Sequence, residues 1–168
     1  MNDLIEAYDD ISTNPLDYVE DVLSDHNWVY SRPNSEELLV EVSGKASTYR
    51  MLFIWQEHMN ALQLCCQYDM EIKQENLPIA AMALMDMNTS LWMGHFEVTK
   101  ESRLPSFRHT SLIRSNQNKS EYEHIEDLVD ISLTQCERYQ AVFHMLANTA
   151  HMDQQTMSFA LMETEGES

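Results

Sequence analysis

Glycine is nearly missing from this sequence: Gly44, Gly94 and Gly166 are the only three in 168 residues. That scarcity excludes a phosphate-cradling P-loop and a glycine-rich dinucleotide turn, both of which need several glycines where backbone approaches ligand. Positive charge is scarce as well, with 10 Lys and Arg against 28 Asp and Glu and a net charge of −18. A field of that sign repels phosphate backbones and anionic bilayer surfaces, so nucleic acid and membranes are excluded as expected partners. Residues 1–31 contain no Lys or Arg, which predicts no signal or transit peptide. No apolar run approaches the ~20 residues that span a bilayer. The three cysteines, Cys65, Cys66 and Cys136, include an adjacent pair and no C-x-x-C. That spacing makes no disulfide framework and fits a reducing cytoplasm. There is no G-x-S-x-G elbow and no cysteine in an electropositive setting, so nucleophilic catalysis has no visible carrier.

What remains is the material of one ordinary domain. A chain of this length buries roughly 68–70% of its unfolded surface and folds without a disulfide or metal. Residues 1–13 read as an acidic arm, 14–151 as a single α+β domain, and 152–168 as a short helix with a polar tail. In "NPLDYVEDVLSDHNW", Asn14 suits an N-cap, Pro15 the first helical position and Asp17 the positive end of the helix dipole. Leu16, Val19, Val22 and Leu23 make its apolar face.

The period then shortens. "WVYSR", "ELLVEVSG", "TYRMLFIWQ" and "ALQLCCQYDM" are β-favouring runs divided by "PNSE", "GKAS" and "EHMN", which predicts an antiparallel meander. "MLFIW" is apolar on both faces and reads as a central strand with helices over one face. "ENLPIAAMALMDMNTSL" returns to helical composition, with Ile79, Met82, Ala83 and Met85 or Asp86 on the expected face. "HFEVTKE" and "SFRHTSLIRS" form a second hairpin, and "SEYEHIEDLVDISLTQCERYQAVFHMLAN" a long amphipathic helix opened by a Ser120/Glu123 capping box. A last helix covers about 153–163. The predicted order is α-β-β-β-β-α-β-β-α-α, an antiparallel sheet with helices packed on one face.

Five groupings raise the question of chemistry. Met85, Met87, Met93 and His95 lie close enough in sequence to suggest soft ligands for Cu(I). Methionine also fills irregular core gaps, and a helix-to-strand junction is the favoured reading. Cys65 and Cys66 point to opposite faces of a strand and cannot chelate together. Glu121 and His124 make one Glu-x-x-His, whereas a di-iron bundle needs two plus further carboxylates; a solvated or capping His124 is the favoured reading. His144 and His151 share a helical face with no third ligand in view. Five of the ten bases, Lys100, Arg103, Arg108, Arg114 and Lys119, fall in the second hairpin and its exit. Such a strip could meet an acidic partner or small anion; pairing with Glu97 and Glu101 across the hairpin is favoured.

The ordered set "NPLDYVEDVL", "ELLVEVSG", "YRMLFIW", "LWMGHFEV", "FRHTSLIR", "EDLVDISLTQCERY" and "FALMETEGES" resembles the YbjN-domain family, in its alphaproteobacterial branch, along nearly the whole chain from Asn14. "YQAVFHMLANTAHMD" departs from the family pattern, which carries more aromatic and glycine residues there. The resemblance implies a fold similar to type III secretion chaperones, which are small, acidic, often dimeric protein-binding proteins. It also implies a role in sensory-transduction regulation. It supplies no catalytic residues, metal ligands or cofactor.

The expectation is therefore a non-enzymatic, cytoplasmic protein-binding module, chaperone-like or regulatory, with a protein partner and a homodimer as its associations. The candidate contact residues are the aromatics Trp55, Trp92 and Phe96, since aromatics carry interface energy, and the cations Arg108 and Arg114. The rival expectation is a metal- or small-ligand-binding sensor built on the Met/His junction and basic hairpin.

Overall fold

The computed structural model describes residues 14–114 and 120–165. The acidic arm, Lys119, the Ser120 side chain of the expected capping box and the polar tail from residue 166 lie outside the described residues. Four helices, α1 (Pro15–Asp25), α2 (Leu77–Ser90), α3 (Ser120–Asn148) and α4 (Gln154–Glu165), accompany six strands. The strands are β1 (Tyr30–Ser31), β2 (Glu37–Ser43), β3 (Thr48–Gln56), β4 (Ala61–Tyr68), β5 (His95–Val98) and β6 (Pro105–Leu112). All strand pairs are antiparallel, in the order β1-β2-β3-β4-β6-β5. The element order is the one the sequence predicts.

Strand alternation sorts the sheet into two faces. Leu38, Val40 and Val42 of β2, Tyr49, Met51, Phe53 and Trp55 of β3, and Leu62, Leu64, Cys66 and Tyr68 of β4 are all buried on one face. On the other face Leu39, Leu52, Ile54 and Cys65 are half-buried among exposed polar neighbours such as Glu41 and Arg50. Cys65 and Cys66 accordingly point apart, and all three cysteines are free thiols.

α1 begins where expected, with the Asn14 side chain accepting from the Leu16 N–H at 2.9 Å. It buries Leu16, Val19, Val22 and Leu23 completely. α3 lays Ile125, Leu128, Val129, Cys136, Tyr139, Val142, Phe143 and Leu146 against the sheet and α1. Each such side chain contributes roughly 1.5–3 kcal/mol by leaving water. The buried Tyr68 hydroxyl donates to the Cys136 carbonyl at 2.5 Å, tying β4 to α3. β1 is only two residues long; Pro33, which has no N–H to donate, follows Arg32 and stops the run.

α2 departs from the expected face. It buries Ala80, Ala83 and Met87 and turns Met82, Met85 and Asp86 outward. The helix is apolar on every side, so spacing alone does not select a buried stripe. Packing selects the two alanines, which let backbones approach closely.

Candidate partner-binding surface

The link from α2 to β5 is held at both ends, by Asn88 and by Gly94. β5 is an edge strand of the sheet, and its exposed backbone would invite pairing with another chain. The Asn88 side chain blocks it: Oδ1 accepts from the Phe96 N–H at 2.7 Å, and Nδ2 donates to the Phe96 carbonyl at 3.0 Å. Between these points Gly94 adopts φ +69°, a left-handed conformation that favours glycine. The chain between clamp and glycine bulges outward and carries Trp92 at its tip.

Trp92 is 99% exposed. Trp55 and Phe96 are not: they are 6% and 2% exposed and belong to the core. Trp55 shares the inward parity of Met51 and Phe53. Phe96 fills an aromatic cluster, with its ring 5.3 Å from those of Phe107 and Tyr139 and 5.4 Å from that of Phe143. Burial leaves neither of them an accessible face for a partner. Met82, Met85 and Met93 are exposed near Trp92 in sequence, as are Phe159 and Met162 on α4.

The basic strip is partly occupied within the chain, at Arg103 and Arg108. Arg108 forms an ion pair with Glu97 across the β5–β6 hairpin, and His95 lies 3.3 Å from the same carboxylate. Arg103 pairs with Glu71. Arg114 is exposed beyond the end of β6. It lines a cavity of about 380 Å³ with Glu121, Glu123, His124 and Asp127 of α3.

The soft-ligand grouping does not converge. Met85 is exposed while Met87, two residues on and so across the helix, is buried. Among the described residues no three His, Cys, Asp or Glu side chains assemble as a metal-holding group. His144 bonds Asn148 within α3, whereas His151 falls beyond the helix end at φ +50°. The expected shared helical face is absent because α3 stops at Asn148.

Four of the perturbed titrating groups, Tyr49, Tyr68, Cys136 and Tyr139, sit in the core. Burial pushes the Tyr49 and Tyr68 hydroxyls and the Cys136 thiol upward, so these groups stay neutral. The Tyr122 hydroxyl, bonded to Asp25 at 2.5 Å, is pushed up to about 12. On the sheet's inner face His109 is pulled down, first by partial burial and then by His124. His124 itself bonds Ser111 at 2.7 Å. A histidine with a depressed folded pKa binds fewer protons folded than unfolded. Stability contributed by neutral His109 is therefore present above the ordinary value of 6.5 and declines as pH falls below it. Urea melts from pH 7.5 to 5 should show that decline, and His109→Gln should flatten it. An unchanged slope in the variant would assign the decline elsewhere.

Sequence reasoning missed the Asn88 clamp and the outward face of α2. The first is a side-chain-to-backbone bond across a bulge and carries no periodic signal. The second is hidden by apolar residues on every side of the helix.

Among the described residues no helix is long and apolar enough to cross a membrane. A search among curated proteins gave no match. Among solved structures the chain is similar to the crystal structure of YbjN from E. coli, at 10% identity with a TM-score of 0.46, covering 74% of this chain and 93% of that one. The sequence model of the YbjN family, described as "putative bacterial sensory transduction regulator", matches residues 15–145. With that match spanning most of its length, the chain belongs to the YbjN family.

Proposed function

We propose that this protein is a non-enzymatic module that binds another protein, in a chaperone-like or regulatory role in the cytoplasm. The observation that carries the reading is Trp92, whose indole is fully exposed on a bulge held at both ends by Asn88 and Gly94. Exposing a large aromatic gains nothing for the isolated fold, whereas tryptophan is enriched among residues that dominate interface energy. The membership in a family described as regulatory supports the reading. The three free thiols fit a reducing compartment.

The test is capture from lysate of the native host by the tagged full chain, at about 150 mM salt, with identification by mass spectrometry. A stoichiometric partner is expected, and Trp92→Ala should weaken its capture about 30-fold, the scale of a 2 kcal/mol hot spot. The same substitution should leave the melting temperature within about 2 °C of wild type, because an exposed side chain contributes at most ~0.5 kcal/mol to folding. Recovery of the bait alone would overturn the reading. Sedimentation of the purified chain separates partner binding from homodimer formation through the same surface.

A further inference from the structure

We infer that α2 and α4 together form a docking groove for a cationic amphipathic segment of a protein partner, an inference that rests on the protein-binding reading above. α2 directs Ala80, Ala83 and Met87 inward, which leaves Met82 and Met85 on the solvent side, Met85 at 73% exposure. α4 buries Met157, Ala160 and Leu161 and leaves Phe159 and Met162, three residues apart, exposed at 59% and 61%. The two helices pack against each other. Between them runs an open groove of about 390 Å³, walled by Asp86, Thr89 and Ser90 of α2 and by Ser158, Met162 and Glu165 of α4. Met82 and Met85 lie one turn before Asp86 and Thr89 on α2.

Large exposed apolar side chains on two adjoining helices form the kind of patch that soluble chains leave open for a partner. Their chemistry points to its nature. Thioethers are flexible and polarisable and repack around different apolar anchors. The charge is one-sided: residues 74–99 and 139–168 contain no Lys or Arg, while Asp86 and Glu165 stand in the groove walls. A second copy of this face would bring acid against acid. A helix with apolar anchors and flanking Lys or Arg matches both features.

The probe is a fluorescein-labelled synthetic helix of Leu and Lys in an amphipathic pattern, read by anisotropy against the full chain. A Leu/Glu peptide of the same pattern and a Lys/Ser peptide of the same charge serve as comparisons. The Leu/Lys peptide should bind at least tenfold more tightly than either. Phe159→Ser with Met162→Ser should weaken it at least tenfold, as should Asp86→Lys with Glu165→Lys, all with unchanged melting. Leu112→Ser, which removes an exposed leucine on the sheet's helix-free face, should change nothing. Equal binding of the Lys/Ser peptide would overturn the inference by reducing it to bulk charge. So would indifference to the groove variants, or a dimer in sedimentation that the Phe159/Met162 variant dissolves. A native partner captured equally by wild type and the groove variants also overturns it, while leaving the protein-binding reading intact; a bait that captures nothing overturns that reading itself.

Discussion

Gly94→Ala is expected to lower the melting temperature by roughly 6–15 °C, the scale of a 3–4 kcal/mol loss in a chain of this size. Two costs combine. The backbone at φ +69° is left-handed, which costs a residue with a Cβ about 1–2 kcal/mol. The added Cβ would stand 2.9 Å from the Arg108 carbonyl oxygen and closer still to the Phe107 ring. Phe107 is fully buried and its ring abuts Phe96, so it has little room to retreat, and forced overpacking costs a further ~1–3 kcal/mol. Thermal melts of Gly94→Ala, Phe107→Leu and the double variant separate the two terms. If contact with the ring dominates, the double variant should be more stable than the two single losses added together. If it melts where simple addition places it, backbone conformation carries the cost. A Gly94→Ala protein that melts with wild type would remove the account of the bulge as a rigid presentation of Trp92.

Much of the fold was legible in the sequence because most elements have one dry side. α1 and α3 each carry a single apolar stripe at helical spacing, and the structure buries those residues almost one for one, Leu133 of α3 remaining half-buried. The strands follow from alternation and turn composition, and the Arg108–Glu97 pair from hairpin geometry. α2 was less legible: apolar residues lie all round it, and only its neighbours decide that the alanines go inward. Aromatic identity likewise told nothing about side. Trp55, Phe96 and Trp92 are similar as residue types, yet two lie in the core and one in solvent. Trp55 shares the parity of Met51 and Phe53, but a run apolar on both faces does not say which parity goes inward, and nothing local placed Trp92 outward. Least visible were the polar residues that join distant segments, since their partners lie up to 97 positions away.

Asn76 is the strongest of these, and Asn76→Leu is expected to cost about 2–6 kcal/mol, since each buried polar group left without a partner costs ~1–3 kcal/mol. Asn76 precedes α2 in a capping position, yet its fully buried side chain makes no capping bond. Nδ2 donates to the Leu146 carbonyl at 2.9 Å and to the Thr149 carbonyl at 2.6 Å, while Oδ1 accepts from the Met152 N–H at 2.9 Å. One amide thus fastens the start of α2 to the end of α3 and to the turn that launches α4. Leucine fills similar space and makes none of the three bonds; the Leu146 carbonyl keeps the Lys73 N–H at 3.3 Å, so two groups, the Thr149 carbonyl and the Met152 N–H, lose their partner. Asn76→Asp keeps the acceptor for Met152 but sets a carboxylate against two carbonyl oxygens, which raises its folded pKa above the unfolded ~3.9. Its penalty should be small near pH 3.5, where a protonated carboxyl restores one donor, and should grow as pH rises towards 7. Chemical denaturation at both pH values checks the sign; a gap from wild type that narrows with rising pH would refute it. Because the amide holds α4 rather than the sheet, both variants should lose hydrogen-exchange protection first in Gln154–Glu165, with β3 and β4 still protected. Loosening α4 in this way opens the groove against α2 while the Trp92 bulge, fixed by Asn88 and Gly94, stays in place. Binding that survives in Asn76→Asp at pH 7 would then belong to the bulge, and binding lost together with α4 protection would belong to the groove.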